Sequence, residues 1–421
     1  MKPKRQVLTH KINLRARCVI TLVALLSFCI VALVYMECDV LPHGPAQFVP
    51  SDEGDSPEIQ QVVFAKVHKA ASSTVQNILL RFAMVRNLSV LLPKNRSPII
   101  NQTGFGIYRH LIVPHPEGKD KFDILCNHVV YNEKEIEKYF ANNATRVAIL
   151  RDPMKQSISA LVYYYTNYPT HILKKALAKY PKDPINEFLR HPKDFYEPNK
   201  KWGPMTSFIN NRMSLDLGFD RYNIEISKHN ATKIEAFIKR VEKEFDLVLI
   251  SDYFDESMVL LRRKLGWSMK DVIYLKVNTA KHQPTSSPLS CKPNISKEVV
   301  QTFRQWDKVD YALYEHFLPR FLKTIKSEPH FEAEVRAFQE IQTLVKDYCF
   351  LGKTRQDLQI TENFWTDSFN VSKYDCKLMR MDEVGLVNIA RTKQNNRYKS
   401  FRNTSSIVRD QINQKKYKAR S

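Results

Sequence analysis

The chain has 421 residues and a net charge of +21 at pH 7, from 65 lysines and arginines against 44 acidic residues. This length suits one large domain or two ordinary ones. Residues 1–17 contribute +6 and residues 391–421 contribute +9, so the body of the chain is only mildly basic. The distribution argues against a nucleic-acid-binding protein, and the tail 391–421 is expected to be a solvated, disordered segment.

A membrane anchor is predicted near the N-terminus. Residues 18–36 carry no charge, and at about 1.5 Å per residue they would cross roughly 28 Å, close to the thickness of a bilayer core. Lysines and arginines precede this segment, whereas Glu37 and Asp39 follow it. The positive-inside rule therefore places residues 1–17 in the cytoplasm and the remainder across the membrane. We expect an uncleaved signal-anchor rather than a signal peptide, because the apolar run is long.

Glycosylation motifs and cysteines agree with a luminal location. The chain contains eight N-x-[ST] sequons, and five of its seven cysteines lie beyond the predicted anchor. An oxidising lumen favours one or two disulfides among them. Cys349 and Cys376 are the pair expected first, and Cys38 is positioned to link two chains into a homodimer. Residues 37–60, with four prolines and two glycines, are predicted to form a stem.

Short apolar runs alternate with segments of helical periodicity in the body of the chain, which predicts a parallel sheet covered by helices on both faces. The predicted strands are residues 61–67, 122–126, 146–150, 245–250 and 272–277. Helices are predicted to begin at Ser72, at Pro153 and near Asp255, the last ending at Gly266. Ligands bind such sheets at the carboxyl ends of the strands.

The first strand is followed by a candidate phosphate site. Its members are a lysine in a tight turn and the residues that open the next helix: Lys69, Ala71, Ser72, Ser73 and Thr74. A helix start presents unpaired N–H groups and partial positive charge, both of which favour phosphate. Because no G-x-x-x-x-G-K-[ST] sequence occurs in the chain, the usual ATP or GTP phosphate loop is not expected.

A second anion site is predicted after strand 146–150. Arg151 follows that strand, and Ser159 lies eight residues further along, in the helix that begins at Pro153. The planar guanidinium group of an arginine binds phosphate through two parallel hydrogen bonds. A ligand with two well-separated phosphate groups would use both anion sites.

Two histidines lie at the carboxyl ends of predicted strands, and an imidazole group titrates near neutral pH. His128 follows the second predicted strand. His68 follows the first, next to Lys69.

These motifs resemble PAPS-dependent sulfotransferases, and more narrowly the galactose 3-O-sulfotransferases, a Golgi family that includes galactosylceramide sulfotransferase. The resemblance is carried by residues 68–82, 126–128, 215–220 and 253–257, within a span from about residue 61 to about residue 325. It implies a P-loop-NTPase-like sulfotransferase fold over residues 61–325, followed by an extension over residues 326–390. It also implies transfer of a sulfonate group from PAPS to the 3-hydroxyl of galactose on a glycolipid or glycan.

The resemblance further implies roles for individual residues. Ser72, Ser73 and Thr74 would hold the 5′-phosphate of PAPS, and Arg151 and Ser159 the 3′-phosphate. Lys69 would stabilise charge on the departing phosphate, and no metal would be needed. The sugar hydroxyl must lose a proton, so a histidine would act as the general base, with His128 as the first candidate and His68 as the alternative.

The acceptor and the location are expectations of the same kind. Trp202 is a candidate for stacking on galactose, since aromatic rings pack on apolar sugar faces. The protein would be a single-pass type II protein of the Golgi membrane with its catalytic part in the lumen.

Three alternatives remain open at this point. The chain could be a carbohydrate sulfotransferase that acts on a different hydroxyl, a metal-independent glycosyltransferase, or a lectin-like relative without activity. No D-x-D triplet occurs in the chain, which removes the commonest metal–diphosphate ligand of glycosyltransferases. The presence of Lys69 and His128 argues against the lectin-like alternative.

Overall fold

The structure is a computed structural model that describes residues 57–101, 106–167, 178–181, 183–196, 207–276, 295–352 and 356–418. The predicted anchor, residues 18–36, and Trp202 lie outside these ranges. Within them, no helix is both long and apolar enough to cross a membrane. Pro57–Ser421 form one compact unit.

The strands of the described residues build one central sheet and two small ones. They are β1 (Val62–Ala65), β2 (Ile99–Asn101), β3 (Ile124–Leu125), β4 (His128–Val129), β5 (Thr145–Leu150), β6 (Leu247–Ile250), β7 (Leu358–Ile360) and β8 (Phe369–Val371). The central sheet is parallel and has the order β3-β1-β5-β6. β2 pairs with β4 in parallel, and β7 with β8 in antiparallel orientation.

Helices cover both faces of the central sheet, as predicted. Those in the described ranges are α1 (Ser72–Val85), α2 (Glu133–Ile136), α3 (Pro153–Asn167), α4 (Pro184–Arg190), α5 (Arg212–Asp216), α6 (Ile224–Ser227), α7 (Ala231–Glu244), α8 (Phe254–Leu265), α9 (Met269–Val272), α10 (Lys297–Trp306), α11 (Lys308–Ser327), α12 (Phe331–Phe350), α13 (Lys373–Arg380) and α14 (Glu383–Lys418). Short 3-10 turns occupy Arg109–Leu111, Pro192–Phe195 and Ser251–Tyr253.

The first four predicted strands are confirmed, and the fifth is wrong. Val272 ends α9, and residues 273–276 form no strand. The side chain of Gln342 accepts from the backbone N–H of Tyr274 at 3.1 Å and donates to its carbonyl at 3.2 Å. A glutamine of α12 thus satisfies the backbone groups that a neighbouring strand would otherwise pair. The apolar side chains of this segment are buried without joining the sheet.

The strand order creates a crevice at one edge of the sheet. Every residue of β1 and β5 is buried, as expected for parallel strands with helices on both faces. After β1 the chain proceeds to β3 on one side, and after β5 it proceeds to β6 on the other. The carboxyl ends of β1 and β5 therefore flank the topological switch point, where ligands bind in open parallel sheets.

The C-terminal basic segment is helical, so the prediction of a disordered tail is wrong for residues 391–418. These residues continue α14, which begins at Glu383 and crosses the predicted boundary at residue 390. Its first turns bury Leu386 and Val387. The Gln394 side chain accepts from the backbone N–H of Val90 at 2.9 Å and donates to its carbonyl at 3.1 Å. The net charge of the tail predicted a solvated segment. Instead, apolar and amide side chains of α14 hold this helix against α1.

A disulfide confirms the first predicted cysteine pair. Cys349 at the end of α12 is bonded to Cys376 in α13. The link closes a loop of 27 residues that contains the β7–β8 hairpin. Cys126 is buried as a free thiol.

Candidate active site

The loop between β1 and α1 has a conformation suited to binding an anion. Lys69 and Ala71 both adopt the left-handed region, with φ of 60° and 59°. For residues other than glycine this conformation costs about 1–2 kcal/mol each, so neighbouring contacts must hold it. The buried hydroxyl of Ser72 donates to the carbonyl of Val67 at 2.5 Å, and Nη1 of Arg151 donates to the carbonyl of Lys69 at 2.9 Å. Left-handed residues before a helix form a concave array of N–H groups, a common anion cradle.

Arg151 brings the two predicted anion sites to one crevice. It follows β5 directly, and its contact with the carbonyl of Lys69 joins the strand ends at the switch point. Burial lowers the pKa of its guanidinium group. Ser159 lies half-buried in the second turn of α3, and Ser73 and Thr74 lie half-buried in the first turn of α1.

Lys69 is held in the crevice by an aromatic ring. Its Nζ atom lies 3.8 Å from the centroid of the Tyr163 ring in α3. Burial lowers the pKa of this lysine to about 8, and the positive charges of Arg151 and Lys66 act in the same direction. The crevice therefore holds several positive charges close together, which favours binding of a strongly anionic group.

Lys66 is a second buried cation that sequence analysis did not select. It follows β1, and its side chain is fully buried. Its Nζ atom donates to Oγ of Ser73 at 3.1 Å and lies 3.3 Å from Oε2 of Glu383. The signal was present in the sequence, because a lysine interrupts the apolar run 62–67.

The two candidate histidines form a stacked pair. The ring centroids of His68 and His128 are 3.9 Å apart, and the ring planes are inclined by 18°. His68 follows β1 and His128 begins β4, so both predicted bases reach the same point. Nε2 of His128 lies 3.7 Å from Oε1 of Glu383. Among the described residues, Nδ1 of His128 is buried without a hydrogen-bond partner.

Asp216 and Arg212 support His68 from α5. Nδ1 of His68 lies 2.7 Å from Oδ2 of Asp216, which also accepts from the backbone N–H of His68 at 2.8 Å. Nη2 of Arg212 donates to Oδ1 of Asp216 at 2.6 Å. Burial alone would raise the pKa of this carboxyl group, but Arg212 and His68 together lower it.

Both imidazoles are neutral near pH 7. Burial lowers the pKa of His68 to about 4, although Asp216 opposes this shift. Burial and the positive surroundings hold the pKa of His128 well below its usual range. A neutral imidazole whose Nδ1–H faces a carboxylate keeps its lone pair on Nε2, which is the form a general base requires.

Two further residues reach the site from distant parts of the chain, and no pattern in the sequence indicated them. Asp216 belongs to segment 215–220, one of those that carry the family resemblance, but nothing in the sequence linked it to His68. Glu383 lies on α14, and no local pattern marked it. Trp202 was predicted to contact the sugar and lies outside the described residues.

An anion cradle beside a neutral, carboxylate-supported histidine is an arrangement suited to a transferase that moves an anionic group to a hydroxyl. The family described as Galactose-3-O-sulfotransferase matches residues 1–365, and the chain belongs to this family of enzymes.

Relatives of known activity agree with this assignment. The chain is 32% identical to pig (Sus scrofa) galactose-3-O-sulfotransferase 2, over 74% of each chain. It is 29% identical to mouse (Mus musculus) galactosylceramide sulfotransferase, over 75% of this chain and 70% of the relative. It is 32% identical to human (Homo sapiens) galactose-3-O-sulfotransferase 3, over 75% of this chain and 67% of the relative.

Proposed function

We propose that the protein transfers a sulfonate group from PAPS to the 3-hydroxyl of a galactose residue on a glycolipid or glycoprotein glycan. Membership of the galactose-3-O-sulfotransferase family supports the reaction. The observation that carries the proposal is the apposition of the Lys69 loop and the Asp216-supported His68 at the switch point of the sheet. One group of contacts suits an anionic donor, and the other suits removal of a proton from a hydroxyl.

The residues of the crevice fit a donor that carries phosphate at both ends of its ribose. Ser73 and Thr74, at the start of α1, are proposed to bind the 5′-phosphate together with the N–H groups of the left-handed loop. Arg151 and Ser159 are proposed to bind the 3′-phosphate. PAPS supplies an activated sulfonate when it is bound there.

Residues of this chain are proposed to carry out the proton transfer and to stabilise the leaving group. His68 accepts the proton of the galactose 3-hydroxyl at Nε2 as the new oxygen–sulfur bond forms, and Asp216 stabilises the resulting imidazolium. Lys69 stabilises the charge left on the 5′-phosphate when the old oxygen–sulfur bond breaks. His128 stacks on His68 and keeps its ring in the crevice.

We also propose a location in the Golgi membrane, with the uncleaved anchor at residues 18–36 and the catalytic unit in the lumen. The disulfide between Cys349 and Cys376 supports an oxidising compartment. A homodimer linked through Cys38 is compatible with this arrangement. Fractionation of cells and protease protection of the catalytic unit test the location.

The reaction is tested with the full-length protein, radiolabelled PAPS and a panel of galactose-terminated acceptors, followed by linkage analysis of the product. We expect sulfate on the 3-hydroxyl of galactose. Sulfate on another hydroxyl, or transfer only from a nucleotide sugar, would contradict the proposal.

Two variants test the donor site itself. Lys69→Ala and Arg151→Ala are expected to abolish transfer while the protein still folds. The matched control is Lys155→Ala. Lys155 is an exposed residue of α3 that pairs with Asp252. Full activity in either site variant would overturn the donor assignment.

A further inference from the structure

Glu383 reaches the donor crevice from the C-terminal helix. It is the first residue of α14 and lies beyond the residues that match the family. Its Oε2 atom accepts from Oγ of Ser73 at 3.1 Å and lies 3.3 Å from Nζ of Lys66. One carboxylate oxygen thus contacts a hydroxyl group at the start of α1 and an ammonium group just after β1. A phosphate or sulfonate oxygen would use the same kinds of partner.

The second carboxylate oxygen is less well placed. Oε1 of Glu383 is buried, and it has no hydrogen-bond partner in the part of the chain that the structure describes. It lies 3.7 Å from Nε2 of His128, which is too far for a hydrogen bond. A buried acceptor without a partner is unfavourable. The position is therefore explained by the buried charge of Lys66, which needs an anion when no ligand supplies one.

A bound donor and Glu383 compete for the same groups. Both are anionic, so they repel each other when they share one site. The hydroxyl of Ser73 can donate only one hydrogen bond at a time. We propose that Glu383 is an internal anion that occupies part of the donor site and is displaced when the donor binds.

The attachment of α14 allows this displacement to stay local. Further along the helix, Lys393 donates to the carbonyl of Met84 at 2.7 Å, and Gln394 bonds the backbone of Val90. Asp382 caps the first turn by accepting from the N–H of Gly385 at 2.8 Å. The body of α14 thus remains on α1 while the Glu383 side chain and the first turn move away from the crevice.

This inference rests on the proposed function, because it takes PAPS as the ligand that displaces Glu383. The internal anion lowers the apparent donor affinity by the fraction of molecules in which it blocks the site. Neutralising Glu383 should therefore tighten donor binding, whereas neutralising a ligand-contacting residue would weaken it.

The test is calorimetric titration of the full-length protein with PAP, the desulfated donor. We expect Glu383→Gln to bind PAP about tenfold more tightly than the wild type. Asp382→Asn is the matched control, since it removes an adjacent negative charge from an exposed residue, and it should bind as the wild type does. Equal or weaker binding by Glu383→Gln overturns the inference, and so does a loss of turnover at unchanged PAP affinity.

A second measurement needs no variant. Hydrogen exchange of the wild type is compared with and without PAP over residues 383–386. Faster exchange with PAP is expected, because the first turn of α14 loses its contacts with Lys66 and Ser73. Unchanged or slower exchange overturns the inference while the proposed function stands. Absence of PAP binding by the wild type would instead overturn the proposed function, and the inference with it.

Discussion

Asp216 holds His68 by two hydrogen bonds, one to Nδ1 at 2.7 Å and one to the backbone N–H at 2.8 Å. The carboxylate favours the tautomer with hydrogen on Nδ1 and holds the orientation of the ring. Asp216→Asn should therefore lower kcat by about 10²-fold or more, since an amide neither selects that tautomer nor stabilises the imidazolium. Steady-state kinetics measure the change, and PAP affinity should stay close to that of the wild type.

Asp220→Asn serves as the control for this substitution. Asp220 accepts from Oγ of Ser227 at 2.7 Å and pairs with Lys233, away from the histidines. It should keep wild-type turnover. Wild-type turnover in Asp216→Asn would show that the carboxylate has only a structural role.

The two stacked histidines, His68 and His128, are expected to contribute unequally to kcat. His68 has the carboxylate partner, so His68→Gln should reduce kcat by at least about 10²-fold with PAP binding preserved. His128→Gln removes the stacked ring and should reduce kcat by a smaller factor. Parallel measurement of kcat and PAP affinity in both variants separates the two roles. The reverse order of effects would assign the base to His128.

Activity should decline in alkaline solution because Lys69 loses its charge. Burial and the neighbouring cations lower the pKa of this lysine to about 8, so the charged fraction in the unliganded enzyme falls as the pH rises through that value. kcat/KM for PAPS reports this ionisation. Arg151→Gln removes one repelling charge but keeps a side chain that can hydrogen-bond phosphate, so the activity that remains should decline at a higher pH than in the wild type. An identical midpoint in both proteins would exclude Lys69 as the titrating group.

The disulfide should stabilise the C-terminal part of the unit. A link that closes 27 residues restricts the unfolded chain by about 3.5 kcal/mol in the loop-entropy description. The double variant Cys349→Ser/Cys376→Ser should lower the free energy of unfolding by a similar amount, as measured by denaturant titration. Treatment of the wild type with a reductant should have the same effect. An unchanged midpoint in both experiments would show that the bond does not limit unfolding.

Part of the fold could be predicted because its signals are local. The apolar runs of β1, β5 and β6 identified buried parallel strands, and the residues that follow β1 and β5 led to the predicted anion sites. Gly266 adopts φ of 63° at the end of α8, as the predicted helix end requires. By contrast, residues 273–276 have the composition of a strand but form none, because the side chain of Gln342 bonds the backbone groups of Tyr274.

By itself, the sequence determined the class of the protein and predicted the position of a donor loop, because buried strands, helix starts and basic turns are recognised from neighbouring residues. Only the tertiary structure decided which distant groups complete the site. Asp216 meets His68, and Glu383 meets Lys66, through packing of helices that lie far from β1 in the chain. Such contacts follow from how the helices pack on the sheet, and no local pattern in a single sequence encodes them.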